Sequence, residues 1–339
     1  MRRDMNRLTD GIGAFLKGHR EVVILLVVML VCAGFYILQR GGRNQFMTVD
    51  NWRVIAVNIS TDALMVVGMT LVIIAGGFDL SVGSTLALGG IVTCKLMVIG
   101  VPIPIAIAVG LLSGALVGIV NGFIITKIGV NPLITTLGTM IIVRGVCLVA
   151  IQANPVTGLP SAFAKIADTM RLTSTFTVAY PVLIMLVTVV VADLMLRHFK
   201  FLRQVYYVGG NEEAARFSGI NVDRVRSFTY IVTGVLAAAA GVVNSSRLIS
   251  ASANAGERAE LRVISAAVIG GASLSGGAGT ILGAFLGLLL VGVIENGMEI
   301  LGVNIYMKNI ILGSILILAV TIDRINRDMI KRFLYWLKK

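Results

Sequence analysis

Gly76-Gly77-Phe78-Asp79-Leu80-Ser81-Val82-Gly83 recurs as Gly270-Gly271-Ala272-Ser273-Leu274-Ser275-Gly276-Gly277, and both copies interrupt long apolar stretches. Each copy is followed in the same order by Asn-Gly (Asn121-Gly122; Asn296-Gly297), Gly-Val-Asn (Gly129 to Asn131; Gly302 to Asn304) and Leu-Gly (Leu137-Gly138; Leu312-Gly313). The first half carries the longer insertion. Two halves with glycine-interrupted hydrophobic segments at matching places are how many transporters build a path at a repeat interface. Gly76, Gly77, Gly83, Gly270, Gly271 and Gly277 are therefore the expected break points of an internal two-fold repeat.

The surrounding composition makes those stretches membrane helices. Hydrophobic residues are 57% and charged residues 14%, with mean hydropathy +0.92, whereas soluble chains carry about 45–50% and about 25%. Roughly twenty apolar residues cross a bilayer as a helix, and the alternation of a β-barrel is missing. The fold expected is all-α and polytopic. About ten crossings fall near 22–38, 54–75, 84–100, 102–120, 132–152, 178–196, 228–248, 259–276, 279–300 and 305–322. The first follows a long basic arm and has no small-residue cleavage site, so it reads as retained.

A net charge of +12 could suggest nucleic acid, but its placement argues for a membrane topology. Lys and Arg gather in the N-terminal arm, the 197–226 loop and the tail from Arg324 to Lys339, while 39–53, 153–177 and 249–262 hold few. That asymmetry puts both termini in the cytoplasm. The chain then reads as one membrane domain over 1–339, with a cytoplasmic arm (1–20), a cytoplasmic loop (197–227) and an amphipathic tail (323–339). Leu8, Ile12, Phe15 and Leu16 in the arm, and Ile330, Phe333, Leu334 and Leu337 in the tail, share helical faces beside basic residues, as in helices lying on the inner leaflet. Simple charged tails are the alternative. Cys32, Cys94 and Cys147 are odd in number and fall in spans, so neither a disulfide framework nor a metal site is expected.

The sharpest motif lies in the cytoplasmic loop, Gly209-Gly-Asn-Glu-Glu-Ala-Ala-Arg-Phe-Ser-Gly-Ile220. Asn211 suits an N-cap, Glu212 and Glu213 suit a helix's first turn, and Gly219 suits the position after its end. A surface helix about 12 Å long follows at 1.5 Å per residue, with Phe217 and Ile220 as an apolar knob for a partner's groove. Glu213-Ala214-Ala215-x-x-x-Gly219 resembles the Glu-Ala-Ala…Gly loop of bacterial ABC import permeases. Gly76 to Gly83, Ile134 to Thr139, Gly209 to Asn211, Ser218 to Asn221 and Val268 to Gly271 resemble the ribose/xylose/galactoside branch, across residues 50–322. Where that branch commonly continues Glu-Leu with Asp, this chain has Glu260-Leu261-Arg262.

The resemblance implies a permease subunit moving a monosaccharide or small polyol across the bacterial inner membrane. Glu213, Ala214, Ala215, Phe217 and Gly219 would dock a separate ABC ATPase. A periplasmic binding protein would deliver cargo, and a second permease copy or paralogue would complete the path. Leu274-Ser275-Gly276-Gly277 looks like a nucleotide-contacting signature, but Ala278 follows, the setting is apolar, and no Gly-Lys-Ser/Thr loop exists. No cofactor or catalytic residue is expected here, and ATP and Mg belong to the partner.

Membrane-depth polar residues have open readings. Asp79 either faces the pathway or, with Ser81, caps a restarting helix. Asn58, Asn121, Asn131, Thr135, Thr136, Thr139 and Asn296 either line the path for sugar hydroxyls or cement helices together. Arg144 needs a partner, with Asp62 and Glu295 as candidates. An ion-coupled secondary transporter is the competing function, using Asp79, Asp62 and Glu295 as a relay, but it leaves the Glu-Ala-Ala loop without a role. A membrane enzyme lacks any nucleophile-base pair.

Overall fold

The computed structural model describes residues 20–39, 45–171 and 177–315, with 317, 318 and 321. The expected amphipathic arm, apart from Arg20, and the expected tail over 323–339 lie outside the described residues. In chain order the helices are α1 (Arg20–Leu38), α2 (Val49–Ile74), α3 (Val82–Val98), α4 (Ile103–Phe123), α5 (Pro132–Ile151), α6 (Tyr180–His198), α7 (Lys200–Gly210), α8 (Glu212–Phe217), α9 (Val222–Leu248), α10 (Ala259–Ile269) and α11 (Ile281–Ile300). Another helix, α12 (Ile305–Ile315), follows. The expected all-α architecture holds among the described residues, apart from one short antiparallel ribbon, β1 (Thr169–Arg171) with β2 (Thr177–Ala179).

Seven of these helices are long and apolar enough to cross a membrane: α1, α2, α4, α5, α6, α9 and α11. Helix α2 is the axis. From Ala63 onward it is apolar on nearly every side, and Ile59 to Ala75 is buried almost without interruption, as expected of a helix enclosed by others. Helices α6, α9, α10 and α11 pack around it. By contrast α4 and α5 bury only one face, leaving Leu112, Leu116, Ile141 and Ile142 exposed. Where α4 crosses α9, a Cβ on Gly114 would lie 2.2 Å from the Gly234 carbonyl oxygen. Small residues allow such close backbone approach in membrane bundles.

The expected crossing over 259–276 takes a different form. Helix α10 has eleven residues, about 16 Å at 1.5 Å per residue, too short to span. Residues 249–258 after α9 are irregular, and they fold back into the bundle until Gly256 touches Gly83 at the start of α3. A Cβ on Gly83 would lie 2.2 Å from the Gly256 carbonyl oxygen. Irregular backbone inside a membrane protein must find internal hydrogen-bond partners. Arg144 of α5 supplies them, donating to the carbonyls of Ala253 and Ala255 (2.8 Å for the latter). Arg144 therefore does not pair with Asp62 or Glu295; Arg262 takes Asp62 instead, through Nε (3.0 Å) and Nη2 (3.2 Å). Sequence position alone could not bring the returning segment to Arg144.

Candidate functional site

Helix α8 forms as its capping residues dictate. Asn211 Oδ1 accepts from Ala214 N at 2.9 Å, Glu212 and Glu213 occupy the first turn, and Gly219 closes the end with φ +80°. Gly219 N donates to Arg216 O and Ile220 N to Ala215 O, each at 3.0 Å, the paired bonds of a Schellman ending. Six residues make a rod of about 9 Å, shorter than the expected 12 Å because Ser218 already leaves helical geometry. Ala215 is buried and Glu213 and Ala214 are exposed, while Phe217 is 91% exposed. Ile220 is half-buried against the cluster holding Ala215, Val222 and Val225. The apolar knob is thus Phe217 alone.

A charged chain braces this rod. Arg216 bonds Glu212 (3.0 Å) and Asp223 (2.9 Å), Asp223 also meets Lys127 beyond α4 (3.1 Å), and Glu212 meets Arg226 of α9 (2.7 Å). Arg226 Nε in turn donates to Ala75 O at 3.4 Å. Partial burial would raise the Glu212 pKa, but the guanidinium groups of Arg216 and Arg226 outweigh it and hold the carboxyl below its usual range. Single exposed pairs contribute little; a connected network holds geometry better.

Ala75 belongs to the first glycine break. Helix α2 ends with Gly76 at φ +82°, Gly76 N bonding Ile73 O and Gly77 N bonding Val72 O. Helix α10 ends in the same way, with Gly271 at φ +92°, Gly271 N bonding Val268 O and Ala272 N bonding Ala267 O. The matching geometry pairs Gly76 with Gly271, one residue off the letter-by-letter match with Gly270. The two breaks touch: Gly277 N donates to Ile74 O at 2.8 Å. Gly209, at the end of α7, wedges between them, where a Cβ would sit 1.8 Å from Ile74 O and 2.8 Å from Gly277 N. Tyr206 OH bonds Gly279 O (2.8 Å), and Tyr230 OH bonds Phe78 O (3.2 Å) beside Gly77. The rod, through Gly209 and Arg226, therefore stands directly on the junction of both breaks.

The polar residues singled out from sequence separate into groups. Asp79 Oδ1 accepts from Ser81 N (2.9 Å) and Ser81 Oγ (2.5 Å), Asn121 Nδ2 donates to Ser81 Oγ (3.0 Å), and Thr139 Oγ1 donates to Asn121 Oδ1 (2.7 Å). This buried chain ties α3, α4 and α5 together, and Asp79 serves the turn entering α3. Asn131 caps α5 by accepting from Leu133 N (2.8 Å), and Thr136 bonds Pro132 O (2.8 Å). Thr135 Oγ1 is buried without a partner among the described residues. Asn58 and Asn296 instead line a cavity of about 60 Å³ between α2, α10 and α11, with Asp62, Arg262, Glu295 and Glu299. Arg226 and Tyr206 escaped the sequence reading, and Gly209 entered it only as part of the loop motif, because a lone Arg, Tyr or Gly near a loop carries no packing signal until its neighbours are known.

Comparison with known proteins gives the family. The model of a family described as branched-chain amino acid transport system / permease component matches residues 51–320. The ribose import permease protein of Escherichia coli strain K12 is 38% identical over 310 residues, covering 91% of this chain and 94% of its own. The D-allose transport system permease protein of the same strain is 37% identical over 281 residues, covering 83% and 85%. Its galactose/methyl galactoside import permease protein is 33% identical over 317 residues, covering 89% and 94%. No solved structure matches. A match over four fifths of the chain, on a bundle whose glycine breaks carry a capped surface rod, makes this chain a member of that family of transport-system permease components.

Proposed function

We propose that the chain is the membrane-spanning subunit of an ATP-driven ABC importer that carries a monosaccharide or related small polyol across the bacterial inner membrane. The relatives named for ribose, allose and galactose support the cargo class. The observation that carries the mechanism is α8 itself, a capped rod presenting Phe217 at 91% exposure while Ala215 anchors it. An exposed aromatic on a rigid base is the kind of anchor a partner's groove takes. In this reading Glu213, Ala214 and Phe217 seat in a separate ATPase, Gly219 ends the rod, and both chain termini share its cytoplasmic side. A periplasmic binding protein delivers sugar, and a second permease copy or paralogue closes the path.

Movement of the ATPases then displaces α8, and Gly209 and Arg226 carry that displacement to the junction of the two breaks. Packed interfaces of this sort switch between arrangements rather than deform smoothly. The ion-coupled alternative gains no support: Asp79 is committed to Ser81, and the cavity that holds Asp62 and Glu295 does not include it. The test is Phe217→Ala. It should leave expression and thermal stability unchanged, since an exposed ring buries nothing, yet release the ATPase on purification and abolish uptake of whichever of ribose, allose and galactose the chain carries. Retention of the ATPase with normal uptake would remove α8 from the docking role.

A further inference from the structure

The cavity between α2, α10 and α11 has features that an accidental gap between helices lacks. Asp62 lies at the middle of α2 and Arg262 in the first turn of α10. A charged side chain at the bilayer centre costs about 2.5–3.5 kcal/mol on insertion scales, so such groups face water or protein. Asp62 and Arg262 offset each other through their two-point bond. Glu295 makes no hydrogen bond among the described residues, although it lines the same space. The faces of α4 and α5 differ sharply, showing Leu112, Leu116, Ile141 and Ile142 outward. Acyl chains suit those faces and not the mouth of this cavity.

The hydrogen-bonding inventory indicates what the cavity would hold. A guanidinium has five N–H donors, and Arg262 spends two on Asp62, leaving three. The Glu295 carboxylate offers acceptors only. Asn58 Oδ1 accepts from Arg247 Nη2 at 3.1 Å, which leaves its amide N–H groups as donors. Donors and acceptors thus stand side by side, which suits a group that both donates and accepts. A volume of about 60 Å³ is several times the ~10–15 Å³ that one water requires, so a small polar group has room to enter. Two neighbouring hydroxyls of a sugar fit that space.

We propose that this cavity marks the water-facing wall of the translocation path, where Arg262, Glu295 and Asn58 hold a vicinal diol of the passing sugar by its edge. The inference rests on the permease reading above. It adds the location of the path on this chain and the chemistry of a transit site that binds one edge, and therefore weakly. Such a site suits import, because a tight one would retain cargo after delivery.

The experiment uses the complete importer, permease with ATPase and binding protein, in proteoliposomes. Asn58→Cys stands at the cavity mouth, and the native Cys32, Cys94 and Cys147 are all buried. A membrane-impermeant thiosulfonate reacts with thiolate, which forms only in water. Asn58→Cys should react at least about tenfold faster than Leu116→Cys on the lipid face. Modification should stop uptake, and whichever of D-ribose, D-allose or D-galactose is carried should slow the labelling. Labelling no faster than Leu116→Cys, or full uptake after modification, overturns the location. Glu295→Gln should raise the KM for uptake several-fold while binding-protein-stimulated ATP hydrolysis persists; an unchanged KM overturns the diol site. Failure of the docking reading would show separately, as ATPase retained by Phe217→Ala.

Discussion

Gly209 and Gly210 are neighbours in the last turn of α7, yet alanine should affect them in opposite directions. At Gly209 a Cβ would lie 1.8 Å from the Ile74 carbonyl oxygen and 2.8 Å from Gly277 N. Both are backbone atoms of the two breaks, so relief requires α7 to retreat by more than 1 Å or the Gly277–Ile74 bond, 2.8 Å long, to open. Forcing extra volume into a packed site costs about 1–3 kcal/mol, and leaving a buried carbonyl and N–H unpaired about 1–3 kcal/mol more. Gly209→Ala should therefore lose about 2–6 kcal/mol, a large share of typical stability. At Gly210 the nearest atom to a Cβ is 3.9 Å away, and replacing a helical glycine gains up to about 1 kcal/mol. Gly210→Ala should thus be neutral or stabilising. Thermal unfolding of the purified proteins and sugar uptake in proteoliposomes measure both effects. Should Gly209→Ala match Gly210→Ala in melting temperature and uptake, the wedge between the breaks is not what fixes α7, and the route from α8 to the junction fails with it.

Arg144→Leu removes both of its bonds to the returning segment 249–258, leaving the Ala253 and Ala255 carbonyls unpaired. A loss of about 2–4 kcal/mol is expected, seen as faster hydrogen exchange confined to 249–260. Asn121→Ala cuts the chain between Ser81 and Thr139 and should cost about 1–3 kcal/mol without altering ATPase co-purification. Glu212 has a depressed pKa in the folded protein, so its contribution is present above the unfolded value, about 4.3. That contribution fades as pH falls through the lower folded value. Acidification below about pH 4 should loosen α8 first, read as rising proteolysis near Arg216, and Glu212→Gln should show the loosening at neutral pH.

Several of these features were written in the order of residues. The apolar runs and low charge dictated a membrane bundle. The run Asn211, Glu212, Glu213 and Gly219 dictated the rod's start and stop, because caps act over three or four residues of chain. The glycine pairs likewise dictated where helices end, since a left-handed closing residue is a local demand. What the chain order could not show is which distant groups meet. Arg144 reaches carbonyls more than a hundred residues away, Arg262 claims the carboxylate proposed for Arg144, and Gly209 fits between two breaks that are almost two hundred residues apart. Ile220 turned inward because Val222 and Val225 offered it cover, leaving Phe217 alone outside. The polar residues at helix ends had identical credentials in sequence. Packing alone sent Asn121 and Thr139 into a sealed seam, paired Asn296 with Asn51 and left Asn58 exposed beside a cavity, because a side chain's role depends on whether protein or water fills the space beside it.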